Sequence, residues 1–196
     1  MSRDIKYYQN LNIPGETTHE KIARKDSHYW NEGKWNNFIA PFLPENCEDM
    51  TFVDVGCNNG LFLKMAKDRG FRDVIGIEKD KGAFDRAVKY KKYIGYDYKL
   101  LHREVGRDFS FDELPVADFT LLSNVHYYFP LGDWIRYLDK LQYKTCYCLI
   151  ISSFLYKESE NWKPKASISG VRWDFRNWEE VGSRHRARQG WRELKD

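Results

Sequence analysis

TFVDVGCNNG, residues 51–60, joins a short apolar run to a turn that contains two glycines. The run over residues 52–55 predicts a buried β-strand, and apolar residues resume at helical spacing from Leu61. Strand, tight turn and helix in this order form the ligand crevice at the carboxyl ends of the strands in open α/β sheets. Gly56 allows the sharp turn, and the missing side chains of Gly56 and Gly60 let a ligand approach the backbone. The stretch therefore predicts a ligand-binding turn.

The glycine spacing distinguishes two classes of cofactor that such a turn can hold. A dinucleotide-binding fingerprint, G-x-G-x-x-G, needs glycines two and five positions after Gly56, where the chain has Asn58 and Leu61. Asp54 also occupies a position that is usually apolar in dinucleotide binders. These departures disfavour a dinucleotide-dependent dehydrogenase.

The string from Asp54 to Gly60, D-V-G-C-N-N-G, resembles the first motif of class I S-adenosylmethionine-dependent methyltransferases, in which an acidic residue precedes G-x-x-x-G. The resemblance extends over the chain from about Trp30 to Phe154, and it implies that S-adenosyl-L-methionine binds at the turn. The candidate cofactor contacts on the turn are Asp54, Gly56, Cys57, Asn58 and Gly60.

Glu78 is the next candidate for cofactor binding. It follows a predicted strand, residues 73–77, and lies 22 positions after Gly56. Open sheets of this kind place an acid there to accept hydrogen bonds from both ribose hydroxyls, because two carboxylate oxygens match two neighbouring O–H donors. Lys79 is included with it as a candidate contact. The alternative interpretation is a solvated acid at the end of a strand.

A third predicted strand covers residues 98–105. The resemblance implies an acidic residue just past this strand, which accepts from the adenine amino group while the next backbone N–H meets a ring nitrogen. Glu104 and Val105 are the candidates. Asp108 competes with Glu104, because strand ends read from sequence are uncertain by a few residues.

A fourth predicted strand, residues 117–124, leads into S-N-V-H-Y-Y-F-P, residues 123–130. The resemblance implies that this strand ends beside the methyl group, so Asn124 is a candidate cofactor contact. His126 is a candidate base, because imidazole has an unperturbed pKa of about 6.5. Tyr127 and Tyr128 are candidates to bind or orient the methyl acceptor. In the alternative interpretation His126 turns into the sheet and packs.

Strands and helices alternate five times, which predicts an α/β fold with a doubly wound, mostly parallel sheet and helices on both faces. Residues 1–45 are expected to be an arm and helices over the cofactor crevice, with residues 1–17 as a loop or loose arm. Residues 46–155 form the predicted S-adenosylmethionine-binding core. Residues 156–196 are an Arg/Trp-rich extension, in which only residues 168–175 resemble a strand, so the sheet is expected to be shortened or altered at this end.

The chain has 196 residues, which suffices for one domain with a substantial core. No apolar run approaches the roughly 20 residues needed to span a bilayer. The first residues, MSRDIKYYQN, contain no apolar signal core, so a cytoplasmic protein without membrane contact is expected. A monomer or a weak homo-oligomer is expected.

No metal site is expected. The four cysteines contain no C-x-x-C pair, and no histidine lies at zinc-finger spacing. Asn124 and the pair Ser152/Ser153 stand near the ends of the fourth and fifth predicted strands, where catechol-type enzymes need acidic magnesium ligands.

The resemblance implies transfer of a methyl group to an oxygen or nitrogen, and a small molecule or glycan is the favoured acceptor. One alternative is an RNA (tRNA-type) methyltransferase that uses the basic aromatic tail. Residues 163–196 hold nine Lys/Arg and five Asp/Glu, while the rest of the chain has a net charge of −1. The other alternative is a non-catalytic binding or scaffold protein with the same fold.

Overall fold

A computed structural model of the chain describes residues 9, 11, 32–105, 113–125, 136–137, 140–141, 143–152 and 169–174. The strands are β1 (Thr51–Val55), β2 (Asp73–Glu78), β3 (Lys99–His102), β4 (Ala117–Ser123), β5 (Thr145–Ser152) and β6 (Ser169–Asp174). The longer α-helices are α1 (Leu61–Asp68) and α2 (Lys81–Ile94).

The six strands form one sheet in the order β3-β2-β1-β4-β5-β6. The first five strands are parallel, and β6 runs antiparallel to β5. The predicted doubly wound, mostly parallel sheet is confirmed. Strand order reverses between β1 and β4, so the crevice for a ligand lies outside the carboxyl ends of these two strands.

Aromatic side chains fill the core between the sheet and α1. Phe52 of β1 is fully buried, and its ring stacks on Phe119 of β4 with centroids 5.7 Å apart. Phe71 meets the other side of this ring at 5.2 Å. Trp35 stacks on Phe62 of α1 at 6.1 Å, which fixes the segment before β1 against the helix. β1 is thus held firmly near its amino end.

A capping residue lies at each end of α2. Asp80 caps α2, because its side chain accepts a hydrogen bond from the Ala83 N–H at 2.7 Å. Gly95 ends α2 with a φ of 72°. The buried side of this helix carries Ala87 and Tyr90, while Val88 is 44% exposed.

The segment before β1 differs from the prediction in detail. A helical pattern was expected up to about Ala40, but Trp35–Ile39 is a π-helix and Ala40–Phe42 is a 3-10 turn. Pro41 fits within the first turn because that position needs no N–H donor. β3 is also shorter than predicted, since its partner β2 ends at Glu78, opposite His102.

Two predictions concern the ends of the chain. Gln9 and Leu11, which belong to the predicted loop or loose arm, are buried, with only 7% and 9% of their surface exposed. The strand predicted within residues 168–175 is confirmed as β6. The other residues of the tail lie outside the described residues.

No helix in the described ranges is long and apolar enough to cross a lipid bilayer.

Gly76 of β2 gives a test of packing beneath the turn. A Cβ there would lie 2.5 Å from Cδ1 of Leu63 and 2.7 Å from Sγ of Cys57. Gly76→Ala should therefore lower the free energy of unfolding by about 1–3 kcal/mol, measured by urea denaturation. The control is Gly82→Ala in α2, where a Cβ approaches no atom closer than 3.3 Å, the distance to the side-chain ends of Arg86 and Asp80. Equal stability of the two variants would contradict the packing described for β2.

Candidate functional site

The glycine turn is tied to the end of β2. Gly56 has a φ of 75°, in the left-handed region that glycine adopts without strain. The N–H groups of Gly56 and Cys57 donate to the carbonyl of Ile77 at 2.7 and 3.1 Å. The Gly60 N–H donates to the Cys57 carbonyl at 3.0 Å, and α1 starts at the next residue. The turn is therefore closed by its own backbone and anchored to β2.

Glu78 fixes the same turn through its carboxylate. Its Oε2 accepts a hydrogen bond from the Asn58 N–H at 2.8 Å, and its Oε1 accepts one from the Asp80 N–H at 2.7 Å. The residue is 7% exposed. An ionised carboxylate has about four acceptor positions. Two are used by these backbone groups, so Glu78 keeps acceptor capacity for donors of a ligand.

Asp54 is a buried carboxylate at the carboxyl end of β1. It is 1% exposed, and among the described residues neither of its oxygens has a hydrogen-bond partner. Burial, and after it the charge of Glu78, raises the pKa of Asp54 from 3.8 to about 8, while the charge of Lys34 opposes the rise. Buried polar atoms are nearly always paired. Two orphaned oxygens beside a glycine turn point to a ligand that would pair them.

Lys34 supplies the opposite charge, and the sequence analysis missed it. The side chain is 5% exposed, and its Nζ donates to Oγ of Ser123 at 3.4 Å, at the carboxyl end of β4. Burial lowers the pKa of Lys34 from 10.5 to about 8, while the charge of Asp54 opposes this shift. The site thus holds a buried cation and a buried acid, and the charge of each shifts the pKa of the other.

The residues that follow β4 close over the turn. A Cβ at Gly56 would collide with Cγ1 of Val125. Asn124 has a φ of 59°. Positive φ angles are uncommon in non-glycine residues, and the residues that adopt them cluster at functional sites. The predicted contact Asn124 therefore lies one residue from the side chain that covers the turn.

The ends of β2 and β3 bring the other candidates to the same edge. Nζ of Lys79 and Oε1 of Glu104 form an ion pair at 3.0 Å, and Nε2 of His102 lies 3.1 Å from the Lys79 carbonyl oxygen. Val105 packs partly buried against the core cluster that includes Ile77. Glu104 already has a cationic partner, so a contact with adenine would have to share its carboxylate.

Cys57 fits a packing role better than the predicted ligand contact. Its thiol is fully buried in the core cluster, and burial, followed by the charges of Asp54 and Glu78, raises its pKa. Its N–H and carbonyl serve the turn. The candidates His126, Tyr127 and Tyr128, and the competitor Asp108, lie outside the described residues.

No group of three or more metal-ligating side chains occurs in the described part of the chain.

No protein-family model and no curated protein sequence matches the chain. Among solved structures, the PH0226 protein of Pyrococcus horikoshii OT3 matches with a TM-score of 0.55 and 14% identity, over 74% of this chain and 61% of that one. The StiE O-MT, residues 942–1257, matches with a TM-score of 0.51 and 12% identity, over 63% of this chain and 43% of that one.

The chain thus spans less than two thirds of either solved structure. These likenesses show the fold. The chain has the fold of class I S-adenosylmethionine-dependent methyltransferases, with five parallel strands and one antiparallel strand in the described sheet.

Proposed function

We propose that this chain is an S-adenosyl-L-methionine-dependent methyltransferase that acts on an oxygen or nitrogen of a small-molecule or glycan acceptor. The observation that carries the proposal is the buried, unpartnered carboxyl group of Asp54, together with the buried ammonium of Lys34, whose charge acts on it. A buried aspartate and a buried lysine in one site match the ammonium and carboxylate of an α-amino acid, which this cofactor carries at one end.

The neighbouring groups fit the rest of the cofactor. Glu78 retains acceptor capacity for the two ribose hydroxyls, and Gly56 leaves the backbone of the turn without a side chain. When bound, the cofactor supplies an electrophilic methyl group on a sulfonium sulfur. The chain contributes binding, orientation and exclusion of water. His126 is proposed to remove the acceptor's proton, and Tyr127 and Tyr128 to orient the acceptor.

The hydrogen bonding of the turn also argues against binding of a dinucleotide cofactor. A pyrophosphate in such folds is bound by free backbone N–H groups at the amino terminus of the helix. Here the Leu61 N–H donates to Oε1 of Gln9 at 3.1 Å, so the first amide of α1 already has a partner. This agrees with the absence of glycine at positions 58 and 61.

Calorimetric titration with S-adenosylhomocysteine tests the proposal. The wild type should bind with a Kd near 1 μM, about −8 kcal/mol. Asp54→Asn should weaken binding by about tenfold to a hundredfold, because it removes the hydrogen bond that Asp54, ionised by the cofactor's ammonium, would form, and a charged hydrogen bond contributes about 1.5–3 kcal/mol. Asp73→Asn makes the same chemical change at an exposed position at the opposite end of the sheet, and it should leave the Kd unchanged.

A wild type that binds NADH but not S-adenosylhomocysteine would replace the proposal with a dehydrogenase. A wild type that binds neither would favour the binding or scaffold alternative. If S-adenosylhomocysteine binds, acceptor screening should compare small molecules and glycans with RNA. A methylated RNA product would favour the RNA alternative.

A further inference from the structure

The amino-terminal part of the chain reaches the glycine turn through Gln9. Its Oε1 accepts a hydrogen bond from the Leu61 N–H at 3.1 Å, and its backbone carbonyl accepts one from Nδ2 of Asn59 at 3.4 Å. The Gln9 side chain is buried. One residue therefore contacts the turn twice from a position about 50 residues away in sequence.

The turn needs such a partner because α1 has no local cap. The first N–H groups of any helix lack intrahelical acceptors. Gly60 precedes α1 and makes no side-chain cap, whereas α2 has Asp80 in that position. Gln9 thus does for α1 what a capping aspartate does for α2.

The same contact extends to α2 and to the core. Nε of Arg86 donates to Oδ1 of Asn59 at 2.9 Å, so the fully buried Asn59 is held by hydrogen bonds from two sides. Leu11 packs in one buried cluster with Leu61 and Tyr90. The amino-terminal contact is therefore both polar and apolar, and it joins both helices that flank the turn.

We propose that Gln9 is a positioning residue, which docks the amino-terminal segment on the glycine turn and holds that turn in its ligand-binding conformation. Gln9 acts through Asn59 and Leu61. A turn fixed before the ligand arrives binds more tightly, because less conformational entropy is lost on binding. The choice of ligand rests on the proposed function, whereas the docking itself does not.

Two measurements on the full chain test the two parts separately. The first is amide hydrogen exchange at Leu61, and the second is titration with S-adenosylhomocysteine. Gln9→Ala removes the acceptor, so Leu61 should exchange about tenfold faster and the Kd should rise about tenfold, as for loss of one helix cap. Gln9→Glu keeps an acceptor oxygen at the helix amino terminus, where negative charge is favourable, and should restore both values. If Gln9→Ala does not fold, Gln9→Asn replaces it.

Unchanged exchange at Leu61 in Gln9→Ala would overturn the docking. Faster exchange with wild-type affinity would overturn the positioning role, as would a failure of Gln9→Glu to restore affinity. If the wild type does not bind S-adenosylhomocysteine, the proposed function and the positioning of that ligand are both lost. The exchange at Leu61 then still decides whether Gln9 docks on the turn.

Discussion

Gly56→Ala should lower the free energy of unfolding by about 2–5 kcal/mol and abolish measurable binding of S-adenosylhomocysteine. Two costs add: a residue with a side chain in the left-handed region costs about 1–2 kcal/mol, and overpacking costs about 1–3 kcal/mol. The overpacking arises because the new Cβ would collide with Cγ1 of Val125. Urea denaturation and calorimetry measure the two effects.

Val125→Ala separates these costs in a double-mutant cycle. The second substitution removes the colliding methyl group and leaves the Cβ of residue 125 at 3.4 Å from the new Cβ. The double variant Gly56→Ala/Val125→Ala should therefore recover the overpacking part and retain only the backbone cost of about 1–2 kcal/mol. Additive effects of the two substitutions would show that Val125 does not cover the turn.

The stability difference between the wild type and Asp54→Asn should depend strongly on pH. The pKa of Asp54 is raised from 3.8 to about 8 by burial, so between these values the folded protein holds a proton that the unfolded chain has released. The stability of the wild type therefore falls as pH rises through this window, by at most about 1.4 kcal/mol per pH unit. Within the described part of the chain, the charged or titratable groups that act on Asp54 or are acted on by it are Lys34, Glu78 and Cys57.

The titration of Lys34 makes the stability of the folded protein change with pH in the opposite direction at higher pH. Its pKa is lowered from 10.5 to about 8, so above pH 8 the unfolded chain holds the proton that the folded protein has lost, and stability rises with pH. Urea denaturation at several pH values tests both trends. Asp54→Asn should match the wild type near pH 4 and exceed it at pH 8, and Lys34→Met should lose the rise above pH 8. A constant difference between the wild type and Asp54→Asn would refute the buried-carboxylate account.

The sheet was predictable because its signals are short-range. β1, the turn and β2 follow from apolar runs that end at Gly56 and Glu78, and the alternation of strands and helices fixes the parallel order. The same patterns placed Glu78 and Asp54 at one edge of the sheet. Period and spacing along the chain suffice for such features, because a parallel strand can carry its carboxyl end to only one edge.

Lys34, Gln9 and Val125 could not be found in this way. Lysine is almost never buried, and nothing near Lys34 in sequence indicates that its ammonium lies at the end of β4, 89 positions away. Gln9 lies in a polar stretch that reads as a loop. Burial and pairing across such separations arise from packing between distant segments, which periodicity does not encode.

The pairing of β6 with β5 has a consequence for the solubility of shortened forms of the chain. β5 reads TCYCLIIS, with neither a charge nor a proline, and β6 pairs along it from Ser152 to Tyr147. An uncovered strand of this composition offers free backbone groups to the same strand of another molecule. Any shortened form that lacks residues 169–174 is therefore expected to aggregate through β5, even though every residue of the glycine turn is retained.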